Sequence, residues 1–266
     1  ESARSLFAAL PPDAPVYFAP CAGAYIGGDL ICALLAAAPQ ENELLMDIGT
    51  NGELALITGT GILCCSTGAG LSHGMVAADG AITDVSIAGD GVVVCTVAGG
   101  GAARGLCGTG AISALAALLG CKAVDETGLL DEQYRESFPL MDGVALTQAD
   151  IRQLQLAKAA VAAGVDSMLQ AAGLAPSDLR ALLLAGGFGS RIDVRSAAGI
   201  GLIPPACAPR ARACGNAAGA GACLIASSQS ALDDAERLAK RAQVLDLTES
   251  AFFSDRFIEQ MLFPLF

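Results

Sequence analysis

Between Leu44 and Leu56 the chain reads Leu44-Leu45-Met46-Asp47-Ile48-Gly49-Thr50-Asn51-Gly52-Glu53-Leu54-Ala55-Leu56. Two apolar runs of strand length flank a cluster of turn residues, which is the pattern of a β-hairpin. The spacing predicts strands over Leu44–Asp47 and Glu53–Thr58, with Asn51-Gly52 turning the chain through positive φ. A third strand, Gly61–Ser66, follows the Gly59-Thr60-Gly61 turn. A carboxylate, Asp47, closes the first strand. Backbone N–H groups of a Gly49-Thr50-Asn51-Gly52 turn can wrap phosphate oxygens, because glycine lets a ligand approach. Asp47 beside such a turn would hold a hydrated Mg²⁺ rather than touch phosphate itself. The same residues also suit an ordinary hairpin in which Asp47 only stabilises the turn.

Around this hairpin the pattern alternates. An apolar helix precedes it, after Pro20–Asp29 and through about Ala38. A second β region, Ala81–Ile87 and Val92–Val97, follows it. Gly105-Leu106-Cys107-Gly108-Thr109-Gly110 then opens a helix over Ala111–Leu119, and residues 122–146 read as turns. Thr147 is an N-cap, with Asp150 three residues on, for a helix from Gln148 to at least Ala163 and up to Ala172. A strand, Ala181–Ala185, runs into Gly186-Gly187-Phe188-Gly189. A small-residue helix over Asn216–Ala226, an amphipathic segment over Ala231–Ala242, a short strand over Val244–Leu247 and a last helix over Ser250–Leu262 complete the chain. A hairpin block followed by αβα alternation predicts an α/β fold with a mixed sheet and flanking helices.

Composition excludes several function classes. The 266 residues carry a net charge of −12, which argues against neutralising nucleic-acid phosphates or anionic lipid. With 53% hydrophobic and 16% charged residues, a large core rather than disorder is expected. The 53 alanines and 32 glycines call for helices packed close together and for backbone that approaches something closely. The long uncharged stretches are broken by Gly, Ser and Thr, so no spanning helix is expected. No apolar signal segment follows Glu1-Ser2-Ala3-Arg4.

The ten cysteines form no C-x-x-C pair, so they fit small buried residues in a reducing cytosol better than a metal or cluster site. No lysine follows a glycine, which excludes a P-loop, and no strict G-x-G-x-x-G occurs. The single histidine, His73, sits in a Gly-rich loop with no triad motif around it.

Three further segments carry chemistry beside the hairpin. Leu182-Leu183-Leu184-Ala185-Gly186-Gly187-Phe188-Gly189 lets a ligand lie on bare backbone at a strand's carboxyl end, or is a plain strand-to-helix turn. Gly215-Asn216-Ala217-Ala218-Gly219-Ala220-Gly221-Ala222 gives a helix with almost no bulk on one face, suited to close helix packing. Gly105–Gly110 opens a helix, where free N–H groups and the dipole favour an anion, or where glycine merely caps.

In their order along the chain these segments resemble the acetate and sugar kinase/heat-shock chaperone/actin superfamily. More closely, the whole chain resembles the C-terminal ATPase region of the ATP-dependent reductive activators of corrinoid proteins. Tyr25–Asp29, Asp47–Glu53, Gly105–Gly110, Leu146–Arg152, Leu156–Ala159, Ala185–Gly189, Ile200–Pro204 and Gly215–Ala222 carry that resemblance. It implies a ribonuclease H-like, actin-like ATPase lobe over 41–266, preceded over 1–40 by the end of another lobe and an interlobe helix.

The resemblance implies that Asp47, through water, holds the Mg²⁺ of ATP and is the catalytic carboxylate. Gly49, Thr50, Asn51 and Gly52 would form a phosphate hairpin, and Gly186, Gly187 and Gly189 the adenosine segment. Tyr25–Ala38 and Asn216–Ala226 would be helices that meet between the lobes. Members of that family return Co(II) corrinoid proteins of methyl-transfer systems to Co(I), coupled to ATP hydrolysis. Their electrons come through a [2Fe–2S] cluster in an N-terminal ferredoxin-like domain. That domain and the first phosphate hairpin are absent from these 266 residues, and the stretch between Gly70 and His73 is shorter than in the family. A fragment of a longer cytoplasmic protein is therefore expected, one that binds ATP weakly and does not hydrolyse it alone unless two chains pair. Two other assignments remain open. One is a related ATPase such as a dehydratase activator, with Cys214 as its candidate cluster ligand, or a sugar-kinase-like enzyme. The other is a non-catalytic interaction module on the same fold.

Overall fold

The structure is a computed structural model that describes residues 16–23, 25–49, 51–67, 74–89, 91–134 and 136–264. Helix α1 (Gly28–Ala37) leads into the hairpin strands β1 (Glu43–Ile48), β2 (Gly52–Thr58) and β3 (Gly61–Thr67). Strands β4 (Ala81–Ile87), β5 (Val93–Val97) and β6 (Gly105–Leu106) form a second, three-stranded sheet, against which α2 (Gly108–Gly120) packs. The stretch 122–146 departs from the sequence expectation. It holds a hairpin, β7 (Ser137–Met141) and β8 (Val144–Thr147), turned at Asp142-Gly143, where both residues have positive φ. Pro139 and the mixed polarity of these strands hide the alternation from the sequence.

Helix α3 (Gln148–Ala172) takes the longer of the two expected lengths. Its capping box forms as the sequence predicts: Asp150 N–H donates to Thr147 Oγ1 (3.1 Å), and Thr147 N–H donates to Asp150 Oδ2 (2.9 Å). Gly173, at φ +67°, ends it. After β9 (Ala181–Ala185) come the short α4 (Gly186–Gly189), α5 (Val194–Gly199), β10 (Ala211–Gly215), α6 (Ala217–Ser227), α7 (Gln229–Arg241), β11 (Ala242–Val244) and α8 (Ala251–Glu259). Strand β10 has no counterpart in the sequence reading. Its Ala-Arg-Ala-Cys-Gly is an edge strand with little apolar signal. β11 lies two residues earlier than Val244–Leu247.

The main sheet has six strands in the order β10-β9-β1-β2-β3-β11. β1, β2 and β3 are antiparallel, β9 runs parallel to β1 and β10 parallel to β9, and β11 runs parallel to β3. Alternation sorts the side chains. Leu44, Met46, Ile48, Leu54, Leu56, Leu182 and Leu184 enter a core with α2 and α3, while Leu45, Ala55, Ile57 and Leu183 enter a second core under α1, α6 and α7. The small residues of α1 and α6 serve one contact. A Cβ on Gly221 would lie 2.0 Å from the Cys32 carbonyl oxygen, so the two backbones touch only because position 221 is glycine. Gly164 does the same for α3, where a Cβ would meet Thr67 at 2.8 Å. Among the described residues no helix is long and apolar enough to cross a membrane.

Candidate functional site

β1 and β9 lie side by side in parallel, with Asp47 level with Ala185. Their carboxyl ends therefore bring the hairpin and the Gly186–Gly189 segment together. Contact is direct: a Cβ on Gly186 would sit 2.3 Å from Asp47 Oδ1 and 2.9 Å from the Ile48 carbonyl oxygen. Gly186 also has φ +87°, a conformation that side-chain-bearing residues rarely adopt. Gly187 has nothing within 4 Å of where its Cβ would be, so its bare backbone faces open space. Gly189 meets Ile48 at ordinary van der Waals distance, 3.5 Å, and packing does not demand glycine there.

The turn differs in detail from the expected Asn-Gly type. The β1–β2 connection is Gly49–Asn51, closed by Gly49 N–H donating to the Asn51 carbonyl (2.9 Å). Gly52 is the first residue of β2 and has no positive φ. It is small because Thr67 and Val161 would lie 2.7 and 3.1 Å from its Cβ. Thr50 lies outside the described residues, as does His73.

Gly49, Gly187, Phe188 and Arg191 line a cleft of about 520 Å³ together with Cys107, Gly108 and Thr109 at the start of α2 and with Gly74–Ala77. The Gly105–Gly110 segment thus joins the other two motifs. Its glycines have packing reasons: a Cβ on Gly108 would lie 2.1 Å from the Phe188 ring, and one on Gly110 would lie 2.1 Å from the Ile82 carbonyl oxygen. Thr109 Oγ1 donates to the Thr83 carbonyl (3.2 Å), which fixes it at the cleft wall. The cleft's volume is in the range of small-ligand sites.

The electrostatics around Asp47 are one-sided. By alternation Asp47 points to the α1 side of the sheet, as Leu45 does, and Glu53 is its direct partner across the β1–β2 ladder. Burial pushes the Asp47 carboxyl above its usual range, and the negative charge of Asp29, in the first turn of α1, pushes it further. Glu53 is raised by burial and then by Asp29 and Asp47, with partial relief from its own backbone N–H and the Asn51 side chain. Asp29, whose Oδ1 accepts from Leu30 N–H (2.9 Å), is therefore a member of the site that the sequence reading placed only in a matching segment. The cue available was its place at the mouth of an apolar helix, after Gly27-Gly28.

Among the described residues no three His, Cys, Asp or Glu side chains converge on a metal position. Mg²⁺ asks for less, since it keeps most of its waters and takes one or two carboxylates plus phosphate oxygens. All ten cysteines are unpaired. Burial pushes the Cys64 thiol up to about 12 and that of Cys65 higher still, as for inert core residues.

Residues 41–265 match the family described as the C-terminal domain of RACo, the ASKHA domain. This chain belongs to that family. A corrinoid activation enzyme, RamQ, from Eubacterium limosum is 32% identical over 252 residues, which is 82% of this chain and 42% of that protein. The [Co(II) methylated amine-specific corrinoid protein] reductase of Methanosarcina barkeri is 29% identical over 255 residues, 81% of this chain and 45% of its own. A solved reductive activator for corrinoid, iron-sulfur protein superposes with a TM-score of 0.86 at 30% identity, over 96% of this chain and 45% of that one. The ASKHA lobe expected from the hairpin and the two Gly segments is thus the fold of this chain, which spans less than half the length of these relatives.

Proposed function

We propose that this chain is the nucleotide-binding lobe of an ATP-dependent reductive activator that returns Co(II) corrinoid proteins to Co(I). One observation carries the nucleotide part of this reading. The Asp47 carboxylate and the Gly186 backbone meet at the carboxyl ends of adjacent parallel strands, beside a cleft also walled by Gly49 and Gly187. Ligands of open α/β sheets sit at such ends. The names of the relatives support the corrinoid part.

In this reading Gly49–Gly52, Thr50 and Asn51 included, offer backbone N–H groups to phosphate, and the exposed backbone of Gly187 takes the nucleoside. Gly186 brings the nucleoside wall against Asp47, and Gly189 only continues the turn. Asp47 holds the waters of Mg²⁺, and the metal supplies charge neutralisation at the phosphates. Phe188 and the start of α2 exclude water from the inner wall. Residues 1–40 belong to the end of a preceding lobe and an interlobe helix, and 41–266 to the ATPase lobe; the family match beginning at 41 supports that division. The partners are a corrinoid protein and an electron donor acting through a [2Fe–2S] domain outside this chain, in the cytoplasm.

The test is nucleotide-dependent reduction of a corrinoid protein by the full-length protein. Mg-ATP-dependent Co(I) formation supports the reading. ATP hydrolysis indifferent to every corrinoid protein offered would favour a related ATPase, and no nucleotide binding at all would favour an interaction module.

A further inference from the structure

Lys158 is a charge that the site described above does not use. It sits in the middle of α3 and is 1% exposed. Its Nζ donates to the Leu262 carbonyl (2.7 Å) and lies 5.3 Å from the centroid of the Phe263 ring. A Cβ on Gly201 would be 3.2 Å from it. One turn earlier, Gln155 Nε2 donates to the carbonyls of Thr127 and Met261. The segment after α8 is thereby strapped across α3, and Phe263 N–H donates to the Glu126 carbonyl at its far side. Toward the sheet, Lys158 lines a small cavity of about 20 Å³ with Ile48, Gly49, Phe188 and Leu202. That cavity lies directly behind two walls of the cleft, Gly49 and Phe188.

A buried lysine is a poor staple. An apolar side chain of similar length would pack against Leu262 and Phe263 without desolvating a charge. The cleft has the opposite need. Asp29, Asp47 and Glu53, none of which lines it, gather negative charge at the strand end beside it, and among the described residues its lining cation, Arg191, is exposed and screened by water. A cation held in low dielectric behind the phosphate turn acts on bound phosphate with little screening.

We propose that the Lys158 ammonium is a positioning residue of the nucleotide site, a fixed positive charge behind the Gly49 turn that favours phosphate without touching it, held in place by the C-terminal strap. This rests on the nucleotide reading above. Burial lowers its pKa to about 8, partly offset by the Asp166 carboxylate, which is itself bound by Arg256 and Gln260 of the α8 segment. Near pH 8 part of the free protein therefore carries a neutral amine. Binding of a polyanion draws one proton from the buffer onto Nζ in that fraction.

The experiment is calorimetry of Mg-ATP binding to the full-length protein between pH 7.5 and 9.5, in buffers of different ionisation enthalpy. We expect uptake of up to about half a proton per nucleotide near pH 8. Affinity is expected to fall on the order of tenfold as the amine loses its charge. In Lys158→Met both effects vanish while thermal stability is kept or raised. In Cys107→Ser the uptake persists whatever happens to affinity, which separates the amine from the thiol in the cleft wall. Nucleotide binding without proton uptake, uptake surviving in Lys158→Met, or uptake lost in Cys107→Ser each overturns the proposal alone. No nucleotide binding at any pH overturns the function reading and this inference together.

Discussion

Half-buried and faced by Asp29 and Glu53, the Asp47 carboxyl stays protonated to higher pH than an exposed aspartate. A folded-state pKa above the unfolded one contributes stability below the unfolded pKa and loses it as pH rises through the folded value. The ligand-free protein therefore carries Asp47 as a strain at neutral pH. Asp47→Asn is expected to abolish Mg²⁺-dependent ATPase activity of the full-length protein while leaving its neutral-pH melting temperature unchanged or higher. A carboxylate that merely stabilised the turn would instead lose about 1 kcal/mol on substitution, as helix caps do. Activity assay and thermal melt on one variant decide between them.

The glycines next to it divide in the same way. Gly187→Val projects into open space and is expected to keep the fold while blocking nucleotide binding. Gly186→Ala is expected to cost about 3 kcal/mol of stability, because it combines a left-handed backbone with a clash on Asp47 and Ile48. If Gly187→Val binds nucleotide normally, the strand-to-helix turn has no ligand role. Asp47 and these glycines were legible in the sequence because a carboxylate or bare backbone at a strand end is a local pattern. Asp29 and the Gly108–Phe188 contact were not, since each depends on a neighbour far along the chain.

Elements were legible where a local signal existed and illegible where tertiary pairing supplied it. The three hairpin strands, α3 with its Thr147–Asp150 box, and β9 all follow from alternation, capping and apolar runs. Strand β10 exists because β9 offers it an edge, and Arg212 ties it to Glu43 at 3.1 Å. Nothing in Ala211–Gly215 itself demands a strand. The α1–α6 contact shows the converse, a helix pair written plainly in glycine and alanine. Gly221→Ala places a methyl 2.0 Å from the Cys32 carbonyl oxygen and must push α6 off α1. It is expected to destabilise by about 1–3 kcal/mol, as overpacking does, despite the gain in helix propensity. Denaturant unfolding measures it; a stabilised variant would mean that the two helices separate freely.

At the scale of the whole molecule the cleft is one-sided. Its walls come from the Gly49 turn, the Gly187–Arg191 segment, the start of α2 and Gly74–Ala77, all within one lobe. The relatives are more than twice as long as this chain, and the superfamily it resembles holds a triphosphate between two lobes, each with a hairpin. In the proposed site the Asp47 hairpin would hold phosphate and Mg²⁺ from one side only. The other side of a nucleotide bound there would face water, where a charged contact at 4 Å is worth about 1 kcal/mol rather than about 4 kcal/mol near protein. Each 1.4 kcal/mol lost lowers affinity about tenfold. The 266-residue chain alone is therefore expected to bind Mg-ATP no more tightly than about millimolar, to hydrolyse none, and to carry no iron. Titration calorimetry at several protein concentrations, with a metal assay on anaerobically purified protein, tests this. Micromolar affinity independent of protein concentration would mean that the Asp47 hairpin and the Gly187 wall suffice on their own. Micromolar affinity that grows with concentration would mean that two copies face each other across the cleft and rebuild the missing side.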